Sequence, residues 1–165
     1  MRKALVTLSL IAASWPVLAQ TPAATFQIKA LTPETALKAA QAALTSCRNQ
    51  GFQVGVAVVD RSGLTQAFLR DRFAGAHTLP VATDKAWTAV SFRTSTLALS
   101  DETQAGKAMS GIRHTPRMLA IGGGVVIEGG GSIFGAIGVS GAPGGEADDA
   151  CAKVGTEAIA DEIAF

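Results

Sequence analysis

Two histidines, two cysteines and one serine set among glycines are the side chains in this sequence best suited to chemistry. His77 follows Arg70 and Arg72 within a few residues, and His114 lies between Arg113 and Arg117. A neutral imidazole ligates metals and moves protons, and a guanidinium beside it can clamp a carboxylate. The competing reading of each is a loop histidine with a surface or capping role. Ser140 lies in Gly138-Val139-Ser140-Gly141-Ala142, which lacks the last glycine of a nucleophile elbow, and no Ser-His-Asp pattern surrounds it. Asp60 reads as a turn acceptor, Asp84 and Lys85 as an ion pair on the first turns of a helix, and Met109 and Met118 as gap-filling residues. Trp87 reads as a packing or interface residue.

Cys47 and Cys151 are an even pair, which in an exported chain invites a disulfide. Each falls on the inward stripe of a helix, and the two helices should flank one another on one face of a sheet. Two buried free thiols are the alternative, given the geometry a disulfide demands. Two cysteines and two histidines suffice in number for zinc, but their spacings match no short-loop zinc pattern. C-x-x-C-H is absent, so covalent attachment of a c-type haem is excluded.

The glycines carry no nucleotide fingerprint. Counting G-x-G-x-x-G from Gly122 or Gly129 puts Ile127 or Phe134 where the last glycine belongs, and Asp101 stands where a phosphate loop ending in Gly106-Lys107 needs its first glycine. Ser140 to Gly145 turns into a helix N-terminus, yet Glu146, Asp148 and Asp149 fill its first turn and would repel a phosphate.

Residues 1–19 read as a signal peptide: Arg2 and Lys3, an apolar Ala4 to Ala13, and Val17-Leu18-Ala19 at the cut. That predicts export to the periplasm or medium. Loss of Arg2 and Lys3 takes the formal charge from +1 to −1, no footprint for nucleic acid. No later hydrophobic stretch is long enough to span a bilayer. Residues 20–165 have the length of one domain.

The elements that position these side chains follow from local pattern. Phe26 to Lys29 reads as an edge strand. Thr32-Pro33-Glu34 opens a helix with inward Ala36, Ala40, Ala43, Leu44 and Cys47, and Gly51 stops it. Phe52 to Val59 is apolar on both faces, a strand in a sheet covered on both sides. Asp60-Arg61-Ser62-Gly63 turns it into Leu64 to Arg70. A helix spans Val81 to Ser91, Thr94-Ser95-Thr96 breaks it, and Ser100 caps a second through Met109. Met118 to Ile121 re-enters the sheet. Val125 to Glu128 and Ile133 to Val139 form a hairpin around Gly129 to Gly131. Gly135 and Gly138 weaken the second strand unless a backbone or ligand comes close. A last helix faces inward through Ala147, Ala150, Cys151, Val154 and Ala158. The plan is α+β: a mostly antiparallel sheet with helices on both faces.

Three segments together, VGVAVVDRSGLTQAFLRD, HTLPVATDKAWTAVSF and IGGGVVIEGGGSIFGAIGVSGAPGGEADDACAKVG, resemble the GlcG/HbpS family, which includes the C-terminal domain of PduO-type proteins. The resemblance covers about residues 31–159. It implies a profilin-like fold, assembly into homo-oligomers, and binding of haem or a related tetrapyrrole, with haem degradation in some members. Where members often read P-G-G-x-P, this chain reads Gly122-Gly123-Gly124-Val125. Under the resemblance His77 becomes the leading ligand for haem iron and His114 the second, with Arg70 and Arg72 meeting propionates and Lys85 facing the pocket. The resulting expectation is an exported tetrapyrrole-binding protein for sensing, storage or scavenging. The alternatives are an enzyme or accessory protein for a small hydroxy-acid metabolite and a ligand-free assembly module; against an ordinary enzyme stands the lack of an acid–base pair, metal motif or nucleophile.

Overall fold

The computed structural model describes residues 23–164; the proposed signal peptide lies outside the described residues. Helix α1 (Pro33–Asn49) leads into strands β1 (Gly55–Asp60) and β2 (Thr65–Arg70), then helices α2 (Thr78–Phe92) and α3 (Thr96–Glu102) and a 3-10 turn at Ser110–His114. Strands β3 (Gly124–Gly129) and β4 (Ser132–Ser140), helix α4 (Gly145–Glu157) and a 3-10 turn at Ala160–Glu162 complete it. The sheet order is β2-β1-β4-β3 and every pairing is antiparallel.

The local signals act as their chemistry requires. The Thr32 hydroxyl accepts the Thr35 N–H at 3.2 Å, with Pro33 at the helix start. Gly51, at φ +85°, takes the left-handed position past the end of α1. Asp60 Oδ1 accepts the N–H groups of Ser62 (2.8 Å) and Leu64 (3.0 Å) and so closes the first hairpin. Gly130 and Gly131, both at positive φ, close the second.

Both faces of the sheet are covered. On one, α1 and α4 pack against Val54, Val56, Val58, Ile127, Ile137 and Val139. Cys47 and Cys151 are joined there, with 5.6 Å between their Cα atoms. On the other, α2 sets Ala86, Ala89 and Val90 against Val59 and Ala136. The glycines of β4 answer to backbone, not to a ligand. A Cβ on Gly138 would stand 2.0 Å from the Ala82 carbonyl oxygen, and one on Gly135 2.0 Å from that of Val59.

Four sequence expectations need correction. Phe26 to Lys29 is not a strand: it pairs with no edge, and Phe26 and Ile28 are exposed. Thr94-Ser95-Thr96 does not merely end α2. The Ser95 hydroxyl accepts the Ala98 N–H and starts α3, which stops at Thr103 instead of running to Met109. Met118 to Ile121 does not enter the sheet, because the Leu119 N–H donates to Thr88 Oγ1 and Met118 and Ala120 pack on Leu99. The inward stripe of α4 is rotated: Asp148, Cys151, Ala152 and Gly155 are buried while Ala150 and Val154 are exposed. Asp148 is drawn inward by a buried lysine. Gly155 allows close approach to α1, since a Cβ there would lie 2.8 Å from the Ala39 carbonyl oxygen.

Candidate functional site

The segment joining β2 to α2 carries His77, Arg70 and Arg72. Its shape comes from Asp71, a buried carboxylate gripped by Arg48 of α1 through Nε (2.9 Å) and Nη2 (3.0 Å) and by the Arg72 N–H (2.8 Å). The Arg48 hydrogen bond holds the Asp71 carboxyl below its ordinary range against the opposing effect of desolvation. With Asp71 fixed, Arg70 donates to the Ala74 carbonyl at 2.5 Å, and Thr78 donates to that of Gly75. His77 then stands exposed at the N-terminal boundary of α2. Its ring folds back over Gly75, where an added Cβ would meet Nδ1 at 2.7 Å. Among the described residues the imidazole has no hydrogen-bond partner, and the Arg72 guanidinium makes neither a hydrogen bond nor an ion pair. Two apolar side chains close in sequence are exposed as well, Phe73 at 79% and Leu79 at 53%.

His114 is built differently. It ends the 3-10 turn and lines an open hollow of about 390 Å³ with Thr103, Gly106, Ser110 and Arg113. The arginines beside it are both engaged. Arg113 donates to the Thr103 carbonyl (2.8 Å) and the Ser100 carbonyl (3.1 Å), capping the end of α3. Arg117 donates to Asp84 (2.9 Å) and lies 4.9 Å over the Trp87 ring. His77 therefore has close in sequence a guanidinium with no hydrogen-bond or ion-pair partner, its charge felt by Asp71, and His114 has none.

Lys85, unlike the exposed His77 and His114, is enclosed by the protein. It stands about two turns along α2 from His77 and is 2% exposed. Its ammonium donates to Asp148 Oδ2 (2.7 Å) and to the Val139 carbonyl (3.0 Å). Asp148 Oδ1 accepts the Ala142 N–H at 3.0 Å. Burial pushes the Asp148 carboxyl above its ordinary range, with Lys85 pulling the other way. The pair joins α2, β4 and α4 inside the protein. The expected Asp84–Lys85 surface pair does not form, and each finds a distant partner instead. Gly123 lies over the buried pair, where a Cβ would meet Asp148 Cβ at 2.7 Å and Lys85 Nζ at 3.0 Å. Sequence spacing gave no hint of a partner for Lys85 so far along the chain.

Among the described residues no group of three or more His, Cys, Asp or Glu is placed to hold a metal ion, and no helix is long and apolar enough to cross a membrane. Ser140 is buried at the end of β4, Met118 is buried, and Met109 is exposed.

Comparison with known proteins places this architecture. The family described as "Haem degrading protein HbpS-like" matches residues 31–157. A crystal structure of a Streptomyces reticuli HbpS double mutant is 36% identical, covers 88% of this chain and 97% of its own, and superposes with a TM-score of 0.76. The crystal structure of a PduOC:heme complex is 30% identical, covers 79% of this chain and 96% of its own, with a TM-score of 0.74. An uncharacterised 15.0 kDa protein of Citrobacter freundii, from the dhaT-dhaS intergenic region, is 32% identical over 117 residues, 70% of this chain and 82% of its own.

Proposed function

Because this chain belongs to the HbpS-like family, we propose that it is an exported protein that binds haem non-covalently, for sensing, storage or scavenging. The likeness to the PduOC:heme complex supports the ligand. The Cys47–Cys151 disulfide and the charged, then apolar, start of the sequence support export, since structural disulfides persist in oxidising compartments. The observation that carries the site is the contrast between the two histidines: His77 is exposed, without a hydrogen-bond partner, and close in sequence to a guanidinium that makes no hydrogen bond or ion pair, whereas both arginines beside His114 are engaged.

The residues fit the group. His77 would ligate the iron through a ring nitrogen, Arg72 and the remaining N–H groups of Arg70 would meet propionates, and Phe73 and Leu79 would lie against the macrocycle. When bound, haem supplies redox and oxygen chemistry at its iron. The chain itself contributes an open, water-exposed mount, and so exchangeable binding of moderate affinity. Assembly into a homo-oligomer goes with this reading, since Leu64, Ile121 and Val154 leave further apolar surface on the single chain.

Hemin titration of the mature protein, followed at the Soret band, tests the reading. Saturable binding is expected in the parent, a shifted band and weakened binding in His77→Ala, and an unchanged spectrum in His114→Ala. Binding should also weaken in acid, because only neutral imidazole ligates iron. Loss of the band in His114→Ala alone would move the ligand to the second histidine. No saturable binding in any variant would discard haem and leave the small-metabolite alternative.

A further inference from the structure

On the α2 side of the sheet, far along that helix from His77, a second pair of arginines faces one hollow. Arg61 from the β1–β2 turn and Arg93 from the end of α2 line about 170 Å³ together with Ser91, Val90 and Ile133. Among the described residues neither guanidinium makes a hydrogen bond or an ion pair. The nearest acid in sequence, Asp60, has its Oδ1 engaged in closing the turn. Arg93 is also strained. It occupies the left-handed C-cap of α2 at φ +55°, a conformation that favours glycine, whereas α1 closes through Gly51. A non-glycine residue held there costs stability, so its side chain is where a reason for it should be sought. A lone cation at a helix C-terminus would be explained by the helix dipole. The dipole does not explain a second unpaired arginine arriving from another element, nor the serine that lines the same hollow.

We propose that this hollow is an oxyanion site, in which Arg61 and Arg93 clamp a carboxylate or phosphate group and the Ser91 hydroxyl donates a further hydrogen bond, over the apolar floor of Val90 and Ile133. A guanidinium fork matches the planar oxygens of a carboxylate or the face of a phosphate. The group belongs to a free small anion, since His77 lies about 24 Å away at the other end of α2. The site itself does not depend on His77.

The test uses the mature, disulfide-intact protein with inorganic phosphate and with acetate, at constant ionic strength made up with chloride, followed by thermal shift and calorimetry. Saturable binding of at least one anion is expected in the parent and in His77→Ala. Arg61→Gln or Arg93→Gly should weaken it by about tenfold or more, the scale of a lost hydrogen bond to a charged group. Arg93→Gly removes the charge while relieving the strained φ, so its unliganded melting temperature should stay near the parent's and any loss of binding reflects the site, not misfolding. Hemin binding should be unchanged in the same two variants, since the proposed haem lies at the other end of α2. Unweakened anion binding in both variants, or no saturable binding of phosphate or acetate in the parent, would overturn the proposal.

Discussion

The two faces of the sheet are held by different means. The face under α1 and α4 is a broad apolar core, stapled by Cys47–Cys151 and flanked by Arg48–Asp71, whose arginine is half exposed. The face under α2 has a small apolar cluster, and the helix lies almost backbone to backbone on β4 and β3. A Cβ on Gly138 would meet the Ala82 carbonyl oxygen at 2.0 Å, and one on Gly124 the Lys85 carbonyl oxygen at 2.4 Å. That close approach leaves little room for large side chains, and the longest one placed there is Lys85, which needs Asp148 to be tolerated. The first face spreads its stability over many contacts. The second relies on a few glycines and on one charged pair that ties α2 to α4.

Four experiments would break or sharpen this contrast. Asp148→Asn should cost the most, about 3–5 kcal/mol in urea unfolding, because it strands the Lys85 ammonium in the interior. Lys85→Met should cost less, since Asp148, already pushed up by burial, can take a proton. Equal losses in the two variants would contradict the account. Replacing both cysteines by alanine should cost about 2–5 kcal/mol and leave a folded protein, because the apolar core on that face remains; unfolding at room temperature would show the staple to be indispensable. Gly138→Ala should cost about 1–3 kcal/mol by forcing α2 away from the sheet, and an unchanged melting temperature would refute the close packing.

The smallest effect is in pH, and its sign differs between the two buried carboxylates. Asp71 has a lowered carboxyl pKa, so its contribution is present above the ordinary carboxylate range and is lost as pH falls through its folded value. Asp148 has a raised one, so its contribution is present below the ordinary range and is lost as pH rises through its folded value. Asp71→Asn should therefore flatten the acid limb of a melting-temperature profile, and Asp148→Asn should not. The same slope in both variants would contradict the assignment.

What could be read from the sequence was local. Thr32-Pro33 marked the start of α1, Asp60 and the glycines marked the hairpins, and apolar residues on both faces of β1 announced a sheet covered on both sides. The cysteine pairing was legible because each cysteine lay on a helical stripe. What escaped was set by partners distant in the chain. The face of α4 is turned by Lys85, 63 positions before Asp148, so an apolar periodicity misses it. Ser95 could be read as a break or as a cap, and only the Ala98 N–H decides. The histidines were visible at once, but not that Arg113 and Arg117 are engaged elsewhere, which is what separates His114 from His77.

The Cys47–Cys151 bond has a topological consequence. It links positions 104 apart and so makes a covalent ring containing all four strands, α2 and α3. A single peptide-bond cut between those positions opens the ring but leaves one covalent molecule until a reductant cleaves the disulfide. Non-reducing and reducing gels of a nicked sample would then differ, one band becoming two, and a host protease that clips an exposed loop inside the ring would release no fragment.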